Sequence, residues 1–149
     1  MEYPHFHQET EYTCGPACMR MALKHFGIKK SEKALAKMLK TNKVVGTWHK
    51  AFPLVAEKYK LNYVVKRHAH IDDLKEYHKK HYFIIISYTH TPEKFSHFSV
   101  VSDIDDHFIY LLDPYKRPRH KYKPHSFEKL WKSNFNYEKE KRWFFAMKK

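Results

Sequence analysis

Gln8-Glu9-Thr10-Glu11-Tyr12-Thr13-Cys14-Gly15-Pro16-Ala17-Cys18-Met19-Arg20-Met21-Ala22-Leu23-Lys24-His25-Phe26-Gly27 decides how the rest of the chain is read. A polar lead-in gives way to a cysteine, and the cysteine opens a run that is almost wholly apolar. Between Cys14 and Phe26 the strongly polar residues are Arg20, Lys24 and His25, and the first two stand four apart on one narrow stripe. A helix apolar on most sides is a central, buried one. Thr13 is placed to act as its N-cap, Pro16 is tolerated in the first turn, and Gly27 supplies the residue that stops it. A thiol at a helix N-terminus lies in partial positive charge and among unpaired N–H groups, and both favour thiolate.

Outward from this helix the pattern stays helical at first. Ser31 is placed to cap a second helix over 32–40, with Leu35, Met38 and Leu39 inward. A third is expected over 48–60, regular from about Ala51 because of Pro53. Residues 61–67 read as a short strand, and 72–80 as a helix with acidic residues first and lysines last, as its dipole prefers. The texture then changes. The run 82–88, Tyr-Phe-Ile-Ile-Ile-Ser-Tyr, is a buried strand by its β-branched residues. Further strands are expected at 97–103, 108–112, 119–123 and 142–147, with a short helix capped by Ser126 and ending near Trp131. Helices first and antiparallel strands after is an α+β pattern.

With 149 residues and no repeat or linker, the chain reads as one domain, 1–149. Aromatic residues at 17% provide ample core and argue against disorder. The net charge of +13, from 29 Lys and Arg against 16 Asp and Glu, favours acidic partners. It leaves nucleic acid open as a partner without favouring it, since no helix-turn-helix, zinc-finger or RNA-recognition signature accompanies the charge. No apolar run approaches a membrane span, and the N-terminus lacks a signal-peptide core. Two cysteines one helical turn apart do not make a disulfide framework. A reducing, cytoplasmic setting is expected. The oligomeric state is not legible.

A cysteine nucleophile needs a base, a group that orients the base, and donors for an oxyanion. In Ser96-His97-Phe98-Ser99-Val100-Val101, His97 opens a strand of core formers, and the next strand ends Leu111-Leu112-Asp113-Pro114. Asp113 can accept from one ring nitrogen of His97 and fix its tautomer. An odd hairpin loop pairs positions summing to 210 and sets His97 opposite Asp113; an even loop turns Asp113 to the other face. The pairing therefore requires an odd loop or a bulge near Asp105. Gln8, six residues before Cys14, can add its side-chain amide to the Cys14 backbone N–H at an oxyanion.

Gln8-x5-Cys14-Gly15-Pro16-Ala17-Cys18, then His97-Phe98-Ser99-Val100-Val101, then Leu111-Leu112-Asp113-Pro114, resembles the C39 peptidases and C39-like proteins. The resemblance implies a papain-like fold, with an N-terminal helical part packed on a C-terminal antiparallel sheet. It implies a nucleophile at Cys14, a base at His97, an orienting carboxylate at Asp113 and an oxyanion donor at Gln8. The best-known members cut leader peptides after a double glycine and sit on ABC transporters. This chain departs in having Thr13 where the family often has an acidic residue, and Tyr115-Lys116-Arg117 where it often has a glycine turn. It contains no transporter or ATPase portion, so a stand-alone domain is expected.

The expectation is a cysteine peptidase acting on a peptide or protein substrate, with no cofactor and no metal. The alternatives are acyl or peptidyl transfer on the same residues, or a non-catalytic binding module. Cys18, one turn deeper, reads as packing. His5-x-His7 and His68-x-His70 could be taken as metal pairs, but neither comes with a spaced set of cysteines or carboxylates.

Overall fold

The computed structural model describes residues 2–90, 95–115, 118–133 and 138–149. Helices α1 (Cys14–His25) and α2 (Glu32–Met38) come first. A 3₁₀ turn (His49–Ala51) then runs into α3 (Phe52–Lys58), followed by β1 (Asn62–Lys66) and α4 (Ile71–Lys79). After them come β2 (Phe83–His90), β3 (Phe95–Ile104), β4 (Ile109–Leu112), β5 (Arg119–Tyr122), α5 (Pro124–Leu130) and β6 (Phe144–Lys148). The strands form one antiparallel sheet in the order β1-β6-β2-β3-β4-β5. The arrangement is α+β, as expected. The sheet is not confined to the second half, because β1 leaves the helical half to pair with the last strand, β6.

The sheet buries both faces, and alternation along β2 shows why. Phe83 and Ile85 join a core with Met19, Leu23, Leu35, Phe52 and Val55 of α1, α2 and α3. Ile84, Ile86 and Tyr88 point the other way, to Leu74 of α4 and Phe127 of α5. A strand covered on both faces needs a continuous apolar run, and 83–86 supplies it. Helix α1 is as buried as its sequence demands: Ala17 to Met19 and Met21 to Leu23 are fully enclosed. Each such large side chain contributes about 1.5–3 kcal/mol relative to exposure. Arg20 keeps its charge in reach of water by lying over the Phe6 ring, 3.8 Å from its centroid, with Glu9 3.6 Å away.

The termini of the elements follow local chemistry, with two corrections. Ser31 caps α2 by accepting from the Ala34 N–H, and Gly27 takes φ +85° after α1. Thr13 occupies the N-cap position of α1 but makes no capping bond; its hydroxyl donates to Glu32 instead. Ser126 does not start α5. Pro124 does, from the extended Lys123, because a proline at the first helical position is pre-set for the helix. None of the described helices is long and apolar enough to cross a membrane.

Candidate active site

Cys14 is the first residue of α1, half-buried, with its thiol free. The start of this helix is held by a close approach to the loop before the 3₁₀ turn. A Cβ at Gly15 would lie 2.6 Å from Thr47 Oγ1 and 3.3 Å from the Phe52 ring. Thr47 cannot simply rotate away, since its hydroxyl is bonded to Thr41 Oγ1 at 2.7 Å. Gly15→Ala is therefore expected to destabilise the fold by about 1–3 kcal/mol through overpacking. Chemical denaturation checks this, and an unchanged midpoint would contradict it.

His97 lies on β3 beside Tyr88 of β2, its cross-strand partner. The hairpin between β3 and β4 turns at Asp105, whose Oδ1 accepts from the N–H groups of His107 and Phe108, both at 2.7 Å. Ile104 pairs with Ile109, so four residues separate the last pair and the loop is even. A bulge between Val101 and Asp103 then shifts the register, and Val101 pairs with Leu111 and Val100 with Leu112. That single extra residue restores the parity the site needs. Continued by one step, the register sets Asp113 across from Ser99, two residues from His97 on the same face. The pair is diagonal rather than directly opposite, and His97 Nε2 reaches Asp113 Oδ1 at 2.6 Å.

Both side chains are enclosed, with 2% of His97 and 1% of Asp113 exposed. With Nε2 on Asp113, the other ring nitrogen of His97 is left for Cys14, with which the ring makes a side-chain hydrogen bond. The ring is held edge-on by Tyr88 and Tyr115, with centroids 5.9 Å from each. Burial alone would disfavour a charged His97. The Cys14 sulfur and the Asp113 carboxylate outweigh it and push its pKa up to about 10.

Asp113 accepts four bonds. Oδ1 takes His97 and the Tyr115 N–H at 2.7 Å; Oδ2 takes His120 Nε2 at 2.7 Å and the Tyr88 hydroxyl at 3.2 Å. Burial raises the cost of its charge, yet the bonds from His120 and His97 hold it well below the usual carboxylate range. The sequence reading missed His120 and Tyr88. Their signal was weak, since one is a histidine among 13 and the other a tyrosine in an apolar strand.

The N-terminal segment runs along the far side of Asp113. His5 Nε2 donates to the Asp113 carbonyl at 2.8 Å, and the Gln8 N–H donates to the Pro114 carbonyl at 2.7 Å. Gln8 is buried, and its side-chain amide donates to the Thr10 carbonyl at 2.7 Å, which uses one of its two amide hydrogens. Beneath this segment Glu32 of α2 accepts from the Glu9 N–H at 2.6 Å and the Thr13 hydroxyl at 2.8 Å. An acidic side chain thus stands near the start of α1, contributed by α2 rather than by position 13. Cys18 is fully buried, and burial, with the Cys14 sulfur nearby, pushes its thiol well up. It stays protonated and inert.

His49, Glu138 and Glu140 form the one group of three metal-donor side chains among the described residues. Neither His5-x-His7 nor His68-x-His70 does so. Glu140 gives one oxygen to His49 Nδ1–H at 2.6 Å and the other to Arg67. Glu138 Oε2 accepts the His49 backbone N–H at 2.9 Å. That leaves His49 Nε2 and Glu138 Oε1, both buried without a hydrogen-bond partner, 3.6 Å apart. One proton satisfies both. Burial raises Glu138 to about 7 and lowers His49 to about 4, which puts that proton on Glu138.

A pH prediction follows from the sign of each shift. Between about pH 4.5 and 6.5 the pair holds one proton whether folded or unfolded, so the two contributions offset each other. In Glu138→Gln only the depressed His49 remains. Its stabilisation is complete above 6.5 and is lost as pH falls toward about 4. The variant is expected to lose up to about 3 kcal/mol over that window relative to its own neutral-pH value. Urea unfolding at several pH values checks this, and parallel curves for wild type and variant would contradict it.

Residues 2–138 match the Peptidase C39 family. Among solved structures the chain is similar to the peptidase domain of Streptococcus ComA, a bifunctional ABC transporter of a quorum-sensing pathway. The TM-score is 0.78 at 20% identity, covering 99% of this chain and 98% of that one. It is also similar to a C39-like peptidase from Bacillus anthracis, with a TM-score of 0.74, 16% identity, and 99% and 95% of the chains covered. A double-glycine motif protease of an AMS/PCAT transporter, solved with a leader peptide, gives 0.71 at 17% identity, with 99% and 91% covered. Curated protein sequences yield no match. The family match over nearly the whole chain, on a fold these peptidase domains share, means that the chain belongs to the peptidase C39 family and is a cysteine peptidase.

Proposed function

We propose that the chain hydrolyses a peptide bond with Cys14 as nucleophile, His97 as acid and base, and Asp113 as the carboxylate that orients His97. The observation that carries this reading is the unbroken hydrogen-bonded run from Cys14 through His97 to Asp113. The Cys14 thiolate, paired with the His97 imidazolium, attacks the scissile carbonyl carbon, and the carbonyl electrons move to oxygen. Gln8 and the Cys14 N–H donate to that oxyanion, Gln8 through the amide hydrogen its bond to Thr10 does not use. The intermediate collapses, the C–N bond breaks, and His97 gives its proton to the leaving amine. Neutral His97 then takes a proton from water, which attacks the thioester. This second intermediate collapses, the C–S bond breaks, the acid product leaves, and the released Cys14 thiolate faces the His97 imidazolium that kept water's proton. No step calls for a cofactor.

The neighbour solved with a leader peptide makes a leader-type peptide the first substrate class to test. A cavity of about 430 Å³ beside Tyr12 and Thr13 carries Lys33, Lys37 and Lys40 on its wall, against the carboxylates of Glu9 and Glu32. With the net charge of +13, this favours an acidic substrate segment. The experiment is incubation with paired acidic and basic peptides containing a double glycine, with mass spectrometry of the products. Cleavage by wild type and none by Cys14→Ala supports the reading; equal cleavage by both would sink it. Gln8→Ala is expected to lower kcat by about 10²–10³-fold while leaving Cys14 alkylation intact. A Gln8→Ala enzyme with wild-type kcat would remove Gln8 from the oxyanion site.

A further inference from the structure

Asp113 is a buried carboxylate with two imidazoles on it, one on each oxygen. Only His97 belongs to the catalytic scheme. His120 arrives from β5, where it pairs with Leu111 of β4, and its ring stacks on Tyr122 with centroids 6.3 Å apart. Its side chain is 11% exposed, in contrast to the 1% of Asp113. One edge of the ring therefore lies inside the site while the ring still reaches solvent, through a groove lined by Ser102, Tyr110 and Tyr122.

An ionised carboxylate only accepts, so His120 must present Nε2–H to Oδ2. That bond and the Tyr88 hydroxyl hold Oδ2, and with Oδ2 held the carboxylate presents Oδ1 to His97 Nε2. The groups facing His120 across the packed elements are Asp113 beyond β4, His97 of β3 behind it, the hydroxyl of Tyr88 on β2, and Tyr110 in the groove. On β5 itself Tyr122 stacks on the ring, and Arg119 and Lys121 line the same groove.

We propose that His120 is a positioning residue of this site. Its Nε2–H fixes the Asp113 carboxylate against His97 and so supports the Cys14–His97 pair. The inference rests on the reading of Asp113 as the carboxylate that orients His97. His120 acts through Asp113 and touches neither substrate nor sulfur.

The test reads Cys14 without needing the natural substrate. The rate of Cys14 alkylation by iodoacetamide is measured between about pH 4 and 9, with the modified residue identified by mass spectrometry, in wild type, His120→Gln and His120→Ala. Glutamine keeps an N–H donor, so His120→Gln is expected to retain the neutral-pH rate to within about twofold of wild type. His120→Ala, which takes the Nε2–H from Oδ2, is expected to react about three- to tenfold more slowly. A His120→Ala enzyme that reacts at the wild-type rate overturns the proposal. If His120→Ala fails to fold, a folded His120→Gln enzyme that reacts about tenfold more slowly than wild type overturns it instead. If wild-type Cys14 reacts no faster near neutrality than a free-thiol peptide, and His97→Ala changes nothing, the ion pair itself is absent. The underlying reading and this one then fall together. A reactive wild type with an unaltered Ala variant sinks only the role of His120.

Discussion

His97→Ala is expected to lower peptide hydrolysis by on the order of 10⁴-fold or more, and Cys14→Ala to abolish it. The two residues act as one unit, so the double variant should lose no more than the worse single one. Cys14 is only half-buried, so Cys14→Ala should leave stability nearly unchanged. His97→Ala should still fold but be less stable, because it removes one partner of the buried pair with Asp113, which keeps its bonds from His120, Tyr88 and Tyr115. In wild type the pKa of about 10 on His97 keeps the imidazolium available well above neutrality. Activity is therefore expected to hold into the alkaline range and to fall near pH 10, as the acid that protonates the leaving amine is lost. The same raised value bears on stability. That contribution is fully present below about 6.5, the ordinary histidine value, and is lost as pH rises through about 10. Steady-state kinetics against pH, with unfolding measured alongside, checks both. A His97→Ala enzyme within tenfold of wild type would remove His97 from the mechanism.

Asp113→Ala is expected to damage stability and activity together. It deletes the carboxylate that accepts from His97, His120, the Tyr88 hydroxyl and the Tyr115 N–H, and leaves those buried donors without it. Removing one partner of a buried charged pair costs about 3–5 kcal/mol. Because His97 also loses the group that sets its tautomer, kcat should fall by on the order of 10⁴-fold. Asp113→Asn keeps the shape, so its stability loss should be smaller. Its activity loss should be similar, because an amide cannot accept on both sides and must turn its N–H toward one of the donors. The stabilisation from Asp113 is complete above its ordinary value near 4 and is lost only in strong acid, since its folded value is depressed. Denaturation curves and kinetics on the two variants separate these effects. An Asp113→Asn enzyme with wild-type kcat would contradict the orienting role.

Much of this was legible because the relevant signals are local. The apolar surround of α1, the capping serine of α2 and the apolar run of β2 each follow from neighbouring residues, and each element lies where its pattern places it. The candidate residues could be named because a thiol at a helix start restricts what it needs, and the structure brings His97 and Asp113 together at 2.6 Å. What was not legible depends on contacts between distant segments. The bulge at Ser102 was foreseen as one of two ways to put Asp113 on the His97 face, but periodicity does not say which. The turn at Asp105 is even because that carboxylate closes two N–H bonds across it. Gly15 reads as a flexible helix start until Thr47 is seen against it. Thr13 reads as an N-cap until Glu32 arrives from α2 to take its hydroxyl. His120 could not be told from the other histidines, because its meaning lies in the β4–β5 register and the strand carries no apolar alternation to fix it.

The central claim is that a Cys14 thiolate and a His97 imidazolium exist together at neutral pH. Thiolate absorbance near 240 nm, followed against pH in wild type, Cys14→Ser and His97→Ala, tests it most directly. Cys18 is buried with a raised thiol and contributes nothing in this range. The account predicts a thiolate absorbance at neutral pH that is present in wild type, absent in Cys14→Ser and weakened in His97→Ala. A wild-type titration that superimposes on that of His97→Ala would contradict it.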